Sequence, residues 1–597
     1  MITSLISKLF YIFDRRERFQ IWLIFLLMLG GAGLETLGIG LIPPFVTLLS
    51  NPELIQQQQF LGWLYVRLGA TSPQGFLLWI SIILLGIYIF KNAYLSLITY
   101  WQYHFLYIKQ VTLSNRLLAA YLYSSYTFHL QRNSAELVRN ITSEISQVFA
   151  GVLMPMLILV TELMVMSCIV ILLAIAEPVS SVIVDIFLGI SIFCLNKVIR
   201  KQMNMQGIIR QEESGQMIQW VHQGLGGIKE TKVLGREAFF LTAFAKSATA
   251  FGKANFMFSL TNQLPNLLIE AILISAVLLI VIFSLIQGRE IQSILPMLSL
   301  FAIAALRLMP SAKRIVSTIG AIQYSQYSVD LICQDLIALE NLSPHLLTQN
   351  QSIASPPFQK EIELHNISYQ YPNSPKPSLS GISLSIKKGE SIALIGESGS
   401  GKTTLVDVIL GLLTPSQGEI LVDGENILNN LANWQRQIGY IPQSIYLCDD
   451  TIRSNIGFGL PLDQINEEQV WNSLKAAQLE ELVYNLPDQL NTLVGERGIR
   501  LSGGQRQRIG IARALYHDPE ILIMDEATAA LDNTTEREFM QALEVMSGHK
   551  TMIMIAHRLS TVKNCDRLYL MKSGEIVEEG KFAELIRENI EFNKKES

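Results

Sequence analysis

Long apolar segments fill the N-terminal half of the chain and set the first expectation for its fold. Each reaches the ~20 residues that a helix needs to cross about 30 Å of hydrocarbon. Several are longer, so we expect some helices to continue beyond the membrane. The pattern predicts a bundle of six transmembrane helices. The six segments lie near residues 20–50, 76–107, 147–175, 179–203, 260–287 and 291–312.

The pattern changes to short strand-like and helix-like runs at about residue 360. Lys360–Ser368 alternates apolar and polar side chains, as a half-buried strand does. The continuous apolar run Ile521–Asp525 is typical of a fully buried central strand. These runs predict an α/β domain. A polar stretch rich in proline and serine precedes them and marks a linker. We therefore expect a membrane domain at 1–340, a linker at 341–359 and a second domain at 360–597.

The composition agrees with a protein that is partly embedded in a membrane. Of 597 residues, 50% are hydrophobic and 16% are charged, whereas soluble domains carry about 25% charged residues. A net charge of −5 gives no sign of a nucleic-acid partner. The five cysteines are scattered and form no C-x-x-C pair. This spacing argues against a zinc site or a disulfide framework, and it fits a reducing cytosol.

Lysine and arginine cluster at the N-terminus and in the loops after the second and fourth apolar segments. The alternate loops hold little beyond Arg67 and Arg289. The positive-inside rule therefore predicts that both termini and the second domain lie in the cytosol, as in a multi-pass protein of a bacterial inner membrane. The first apolar run is too long for a cleavable signal peptide.

A glycine-rich loop carries the first chemical motif. Gly396-Glu-Ser-Gly-Ser-Gly-Lys402-Thr403 fits G-x-x-x-x-G-K-[ST] between the strand-like run 391–395 and the helix-like run 404–410. Its backbone N–H groups are expected to bind phosphates, with Lys402 on the β- and γ-phosphates and Thr403 on Mg²⁺. The residues expected to bind ATP here are Gly396, Ser398, Gly399, Ser400, Gly401, Lys402, Thr403 and Thr404.

A second motif, Leu501-Ser-Gly-Gly-Gln505, follows about a hundred residues later. With both motifs, the chain resembles the ATP-binding-cassette (ABC) exporters, and the resemblance covers the C-terminal third. It implies a P-loop ABC ATPase domain behind the six-helix bundle. It also implies that Ser502, Gly503, Gly504 and Gln505 close over ATP held by a partner. One cassette per chain then requires a second chain, which makes a homodimer or a heterodimer with another half-transporter.

The resemblance assigns further roles by position. Asp525 would hold Mg²⁺, and Glu526 would polarise the attacking water; the alternative for two adjacent acids is a solvated turn. Gln443, in Tyr440-Ile-Pro-Gln443, matches the glutamine that senses Mg²⁺ and the γ-phosphate. His557, in Ile555-Ala-His557-Arg558, matches the histidine that contacts the γ-phosphate.

Two more positions match the ATP site of the family. Asp532 matches the D-loop aspartate, and Tyr371 matches the aromatic residue that stacks on adenine. Tyr369 is the other candidate for that stacking, because strand alternation puts both tyrosines on one face. Two cytosolic crosspieces, near Tyr126–Glu136 and Gly224–Thr231, resemble coupling helices of exporters; the alternative is a plain amphipathic loop.

The membrane half resembles the flippases of polyprenyl-linked oligosaccharides. The likeness is carried by the strings 34–41, 133–140, 224–237 and 301–310. It implies a lipid-linked saccharide or another amphipathic substrate. Export of a drug or a peptide is the competing transport function, and a non-transporting ATPase or ATP-gated channel is the alternative of another class. The intact Glu526, Ser502 and His557 favour a transporter.

Charged residues inside the apolar segments are candidates for substrate binding, because a charge at mid-membrane costs about 2.5–3.5 kcal/mol on insertion scales. Lys91, Arg307 and Arg314 are expected to hold a lipid pyrophosphate. The alternative is that they reach the interface or pair with acids in the bundle. The outer loop 51–74 has apolar residues at helical spacing. It forms either a helix in the membrane interface or a helix packed on the bundle.

Overall fold

The structure is a computed structural model that describes residues 2–50, 59–67, 72–286, 291–342, 358–372, 374–527, 533–555 and 562–588. The chain divides into two compact units. The first unit comprises Met1–Ser124 and Gln131–Leu347, and the second comprises Ser125–Leu130 and Thr348–Ser597.

The described part of the N-terminal half consists of helices and short connections. Its α-helices are α1 (Ile2–Ile12), α2 (Arg15–Ser50), α3 (Gln59–Arg67), α4 (Pro73–Leu122), α5 (Tyr126–Gln131), α6 (Ser134–Arg139), α7 (Ile145–Val148), α8 (Met154–Ala176), α9 (Pro178–Gly226), α10 (Ile228–Val233), α11 (Glu237–Ile286) and α12 (Ile291–Leu342). Two π-helical turns, Asn140–Glu144 and Phe149–Leu153, join α6, α7 and α8 into one continuous path. Short helices α5 and α10 lie where the sequence predicts the two crosspieces.

Long helices occupy all six predicted spans, and four of them reach 49 residues or more. Within the described residues, four helical stretches are long and apolar enough to cross a membrane: Arg15–Leu49, Pro73–Leu122, Ser134–Ala176 and Glu237–Ile282. The other two predicted spans lie in α9 and α12. Helices of about 50 residues are about 75 Å long, so they confirm that some of them extend beyond the bilayer.

The core of the first unit lies where α8, α11 and α12 meet. Val165, Ile169 and Leu173, one per helical turn of α8, are fully buried there. Packing of α9 against α12 is close enough to exclude side chains. A Cβ at Gly207 would come within 2.1 Å of the Tyr324 carbonyl oxygen.

Helix α3 packs on the bundle along one face. Leu61 and Leu64 contact the buried Leu48 and Phe76, while Trp63 is exposed. Of the two possibilities for the outer loop, this contact corresponds to a helix packed on the bundle. Of the other apolar residues predicted for this loop, Phe60 belongs to α3, and Leu54 and Leu68 lie outside the described residues.

The second unit contains two β-sheets. Its strands are β1 (Glu361–Tyr369), β2 (Leu379–Lys387), β3 (Ser391–Gly396), β4 (Gln417–Val422), β5 (Glu425–Asn426), β6 (Ile438–Ile441), β7 (Ile521–Asp525), β8 (Thr551–Ile555), β9 (Arg567–Lys572) and β10 (Glu575–Gly580). One sheet has the order β2-β1-β4-β5, and the other has the order β10-β9-β3-β8-β7-β6.

Helices surround the larger sheet. They are α13 (Lys402–Ile409), α14 (Leu431–Arg436), α15 (Ile452–Ile456), α16 (Glu467–Ala476), α17 (Glu480–Tyr484), α18 (Gly503–Leu515), α19 (Asn533–Met546) and α20 (Phe582–Glu588), with 3₁₀ turns at Ile427–Asn430, Leu462–Gln464, Gln489–Asn491 and Glu496–Gly498.

Strands β6, β7, β8, β3 and β9 run parallel to one another, and the edge strand β10 is antiparallel to β9. Every residue of β7 and β8 is buried, as the apolar run at 521–525 predicts. Ligands of such sheets bind beyond the carboxyl ends of the strands. That edge is where β3 leads into the phosphate loop and where β7 ends at Asp525.

Candidate ATP-binding and catalytic site

The phosphate loop, residues 396–401, connects β3 to α13. Its backbone is left-handed at Gly396 (φ 151°), Gly399 (φ 81°) and Gly401 (φ 104°), which L-residues with a side chain rarely adopt. A Cβ at Gly396 would also lie 2.3 Å from the Met571 carbonyl oxygen. The glycines of the motif are therefore required by backbone geometry and by packing against β9.

Lys402 is 5% exposed and lies across its own loop. Its Nζ donates hydrogen bonds to the carbonyl oxygens of Gly396 (2.9 Å) and Glu397 (2.8 Å). Thr403, the next residue, is exposed on the first turn of α13. A helix N-terminus, a lysine and an exposed hydroxyl therefore meet at the loop, and this combination attracts an anion.

Glu526 and Gln443 come together from separate strands. The Gln443 side-chain amide donates to Glu526 Oε2 over 2.8 Å. Glu526 has a left-handed backbone (φ 50°), and its N–H donates to the Ile555 carbonyl at 3.0 Å. An unfavourable backbone held in place by neighbouring strands is common at functional sites. Asp525, the preceding residue, is 3% exposed at the end of β7.

Asp407, on α13, is a site residue that the sequence reasoning missed. Burial raises the pKa of its carboxyl to about 6, and the charge of Asp525 adds to the rise. The phenol of Tyr440 also has a raised pKa, caused by burial and then by Asp525 and Asp407. The signal for Asp407 is visible in the sequence: it is a single acid inside the apolar run 405–410.

The two candidate tyrosines for adenine differ in exposure. Tyr369 is 5% exposed and belongs to the core, whereas Tyr371 lies beyond the end of β1 and is half-buried. Their rings are edge to face, with centroids 5.0 Å apart. The Tyr371 hydroxyl lies 3.3 Å from Thr404 Oγ1, which joins it to α13. Tyr371 is therefore the tyrosine with an accessible face.

Two residues of α5 approach the same place, and the sequence reasoning did not assign them to the site. Thr127 makes a side-chain hydrogen bond with Tyr369. Burial raises the pKa of Tyr126, and the charges of Asp407 and Tyr371 add to the rise.

The Ser502–Gln505 segment begins helix α18. The Ser502 side chain accepts a hydrogen bond from the Gln505 backbone N–H (3.2 Å), and the Gln505 side chain accepts one from the Ser502 N–H (2.8 Å). This reciprocal capping box fixes the helix start. Ser502 and Gly503 are exposed. The positive end of a 13-residue helix is thus open to an external anion.

The remaining predicted site residues fall into two groups. His557 and Asp532 lie outside the described residues. The candidate substrate cations belong to the first unit, where Arg307 Nη2 lies 2.6 Å from Glu35 Oε2 and Arg314 Nε lies 3.0 Å from Glu162 Oε1. Lys91 Nζ lies 4.8 Å from the ring centre of Tyr88. Both arginines therefore pair with acids of the bundle, which is the alternative to substrate binding given in the sequence analysis.

Two family models match the chain. The model of the ABC transporter transmembrane region matches residues 54–306, and the ABC transporter model matches residues 379–529. Together they cover both halves.

Relatives of similar length also match. The ATP-dependent lipid A-core flippase of Cupriavidus metallidurans is 31% identical over 473 residues, which is 78% of each chain. The heterocyst differentiation ATP-binding protein HepA of Nostoc sp. is 31% identical over 470 residues, covering 77% of this chain and 74% of that protein.

A solved structure of a bacterial Atm1-family ABC exporter with ATP bound has the same fold. It superposes with a TM-score of 0.73 over 97% of this chain and 98% of that chain, at 21% identity. The likeness thus covers the membrane helices and the nucleotide-binding unit.

Proposed function

Because this chain belongs to the ABC transporter family, as an exporter half-transporter in which ATP hydrolysis drives transport, we propose that it flips a lipid-linked saccharide or a related anionic amphipath. The cations of α12 support this substrate class. Arg307, Lys313 and Arg314 present guanidinium and ammonium groups on one helix of an apolar bundle, and their side chains are 23%, 26% and 46% exposed. Charge-assisted hydrogen bonds from such groups to phosphate are strong where water is excluded. Similarity to proteins named lipid A-core flippases points to the same class.

Each of these three cations forms an ion pair with a glutamate. Glu35, Glu270 and Glu162 come from three different helices, α2, α11 and α8. A substrate phosphate would replace these carboxylates rather than meet bare cations. Each exchange keeps the cation paired, which lowers the desolvation cost of binding. The same pairs would stay closed around a neutral drug or peptide, which is the second candidate substrate class.

At the cassette, we assign the ATP-site roles by position. Lys402 and the phosphate-loop N–H groups bind the β- and γ-phosphates, and Tyr371 stacks on adenine. Glu526 polarises the attacking water, with Gln443 holding its carboxylate at 2.8 Å. His557 contacts the γ-phosphate. Asp532 takes the role of the D-loop aspartate.

The oxygen donors near Asp525 fit Mg²⁺. The ion prefers hard oxygen ligands and takes most of the remainder from phosphate and water. The Thr403 hydroxyl, the Asp525 carboxylate and the Gln443 amide oxygen would hold it. Among the described residues no group of three or more His, Cys, Asp and Glu side chains could hold a metal by itself. When bound, the ion neutralises charge that develops on the phosphates.

Two copies of the chain form the transporter in this proposal. Ser502 and the N–H groups of Gly503 and Gly504 would face ATP on the partner's phosphate loop. Their exposure at the start of α18 supports this role. A homodimer would have two equal sites, and a heterodimer with another half-transporter is the variant. The cassette and both termini face the cytoplasm of a bacterial inner membrane, as the charge distribution of the loops supports.

The test is a flipping assay in liposomes that contain the purified protein. The substrate is a fluorescent polyprenyl-pyrophosphate saccharide, and a neutral lipid with the same fluorophore is the control. We expect ATP-dependent flipping of the anionic lipid only. Equal movement of both lipids would contradict an anionic substrate class, and movement of the neutral lipid alone would support the drug or peptide alternative.

A further inference from the structure

An apolar cavity of about 650 Å³ lies in the first unit, where α1, α2, α4 and α8 meet. Twelve of its thirteen lining residues are apolar, and the other is Arg18. Its walls include Leu9 of α1, Trp22 of α2, Phe105 of α4 and Leu157 of α8. Small-molecule sites have volumes of about 300–1,000 Å³ and are mostly apolar with a few polar groups. The cavity is therefore large enough to accept a hydrocarbon chain.

Arg18 is fixed at the edge of this cavity by the turn between α1 and α2. Its Nε donates to the Phe13 carbonyl oxygen at 3.0 Å, and its Nη2 donates to the Phe10 carbonyl oxygen. These carbonyls belong to the C-terminal end of α1, where a cation is favourable. The guanidinium also lies 5.3 Å from the ring centre of Phe10. The turn is thus built to keep a positive charge beside the apolar walls.

Two further arginines make the surface beside Arg18 basic. Arg15 and Arg16 are exposed on the first turn of α2. Glu17, in the same turn, is neutralised by an ion pair with Lys109 of α4 at 2.8 Å. Asp14 is the remaining exposed acid in this segment. Three arginines against one aspartate leave a positive patch at the cavity.

The position of the cavity identifies its occupant. Its walls are the N-terminal parts of α2 and α8 and the inner part of α4 around Phe105, and the stretches of these helices are apolar enough to cross a membrane. Phe10, Phe19 and Trp22 are exposed around it, and aromatic rings are enriched at the membrane–water interface. An apolar cavity at this depth opens to lipid. Basic clusters at the end of a span attract anionic lipids.

We propose that this cavity binds one acyl chain of an anionic phospholipid of the surrounding bilayer, with the lipid phosphate at Arg15 and Arg16. The lipid holds α1 against α2, α4 and α8. It is a bound lipid of the bilayer and not the cargo, so the site stands independently of the substrate proposed above.

Native mass spectrometry of the purified, delipidated full-length protein tests the site. Phosphatidylglycerol and phosphatidylcholine with the same acyl chains are titrated separately. We expect one saturable phosphatidylglycerol per chain. At about 1 kcal/mol per basic residue near an anionic lipid, Arg15→Gln with Arg16→Gln should weaken its binding about thirtyfold. Leu157→Trp, which fills the cavity, should weaken both lipids.

The matched control removes the same charge from another basic segment. Lys197→Gln with Lys201→Gln changes two exposed lysines of α9 and should leave phosphatidylglycerol binding as in the wild type. A second measurement uses phosphatidylglycerol with a brominated acyl chain, because bromine quenches nearby tryptophan fluorescence. We expect this lipid to quench the fluorescence of Trp22, so that the quenching is smaller in Trp22→Phe. The proposal would be overturned if both lipids bound equally well, or if phosphatidylglycerol binding did not saturate and was competed by detergent. It would also be overturned if the two double variants lost phosphatidylglycerol affinity to the same extent.

Discussion

Arg307 and Glu35 form an ion pair between α12 and α2, with Nη2 and Oε2 2.6 Å apart. The Glu35 side chain is 10% exposed and that of Arg307 is 23% exposed. Two companion pairs, Arg314–Glu162 and Lys313–Glu270, join the same helix α12 to α8 and α11. Removing one member of a buried pair costs about 3–5 kcal/mol, because the other charge is left uncompensated. The pairs can therefore serve packing, substrate binding or both.

A double-mutant cycle separates these roles. Glu35→Gln should leave Arg307 available to a lipid phosphate and keep flipping, whereas Arg307→Gln should lower flipping of an anionic lipid by tenfold or more. Both single variants should unfold at lower temperature than the wild type, and the double variant should recover much of that loss. Flipping in liposomes and thermal unfolding of the same preparations measure the two effects.

The outcome that contradicts substrate binding is specific. If the double variant recovers flipping together with stability, Arg307 acts only as the partner of Glu35. Arg314→Gln with Glu162→Gln supplies an independent repetition, since it tests a different pair on the same helix.

Glu526→Gln should leave ATP binding intact and lower ATP hydrolysis by about 10²–10⁴-fold, the usual contribution of a positioned general base. The amide keeps the shape of the side chain and can still bond to Gln443, now 2.8 Å from Glu526 Oε2. Steady-state ATPase activity and nucleotide binding on purified protein measure the two properties. Hydrolysis at the wild-type rate would remove Glu526 from the role.

The sequence predicts the helices, strands and domain order of this chain, but it does not predict which side chains contact each other. The strand expected at 360–368 is observed as Glu361–Tyr369, and the buried run at 521–525 is strand β7. Both follow from local periodicity. The Arg307–Glu35 pair joins residues far apart in the chain, so no local pattern identifies it. The sequence offers several acids to each cation, and only tertiary packing selects among them.

In the ATP site, too, the sequence predicts local backbone geometry but not contacts between distant residues. The left-handed glycines of the phosphate loop are implied by the motif, because the motif encodes backbone geometry. The raised pKa of Asp407 is not implied by any motif, because it depends on burial of this helical residue and on the charge of Asp525 at the end of strand β7. Likewise, alternation leaves Tyr369 and Tyr371 equivalent, whereas core packing buries Tyr369 and leaves Tyr371 accessible.

Tyr371→Ala should weaken adenine-nucleotide binding by about 1–3 kcal/mol, the scale of base–aromatic stacking. Tyr369→Ala should instead lower the unfolding temperature, because it removes a buried aromatic side chain, a change that costs about 3–5 kcal/mol for Phe or Trp. Nucleotide titrations and thermal unfolding of both variants distinguish the two residues. If Tyr369→Ala weakened nucleotide binding more than Tyr371→Ala did, Tyr369 would be the stacking residue.

Asp407→Asn should stabilise the nucleotide-free protein at pH 8, and the gain should vanish as the pH falls toward 4. The folded-state pKa of Asp407, about 6, lies above its ordinary value of 3.8. The ionised carboxylate therefore destabilises the folded state above pH 6, by up to about 3 kcal/mol for a two-unit shift. Below the unfolded pKa both states are protonated and no difference remains. Unfolding temperatures of variant and wild type across this pH range test the sign.

Ser502→Ala in one chain and Lys402→Ala in its partner should damage a single ATP site and leave the other intact. The reason is geometric: Ser502 is exposed at the start of α18, whereas Lys402 bonds to its own phosphate loop. If each ATP lies between one chain's loop and the other chain's Ser502, both changes fall on the same site. A dimer with both changes in one chain has both sites damaged and is the matched control.

Covalently linked dimers with two different tags make this comparison possible. We expect the first dimer to retain measurable hydrolysis and the control dimer to lose nearly all of it, if one intact site can turn over. Site-specific photolabelling with an azido-ATP analogue reports each site separately and does not need that condition. Labelling of one phosphate loop only in the first dimer supports the shared site. Labelling of one phosphate loop in the control dimer and of neither loop in the first dimer would mean that each chain completes its own ATP site, and it would contradict the dimer proposed here.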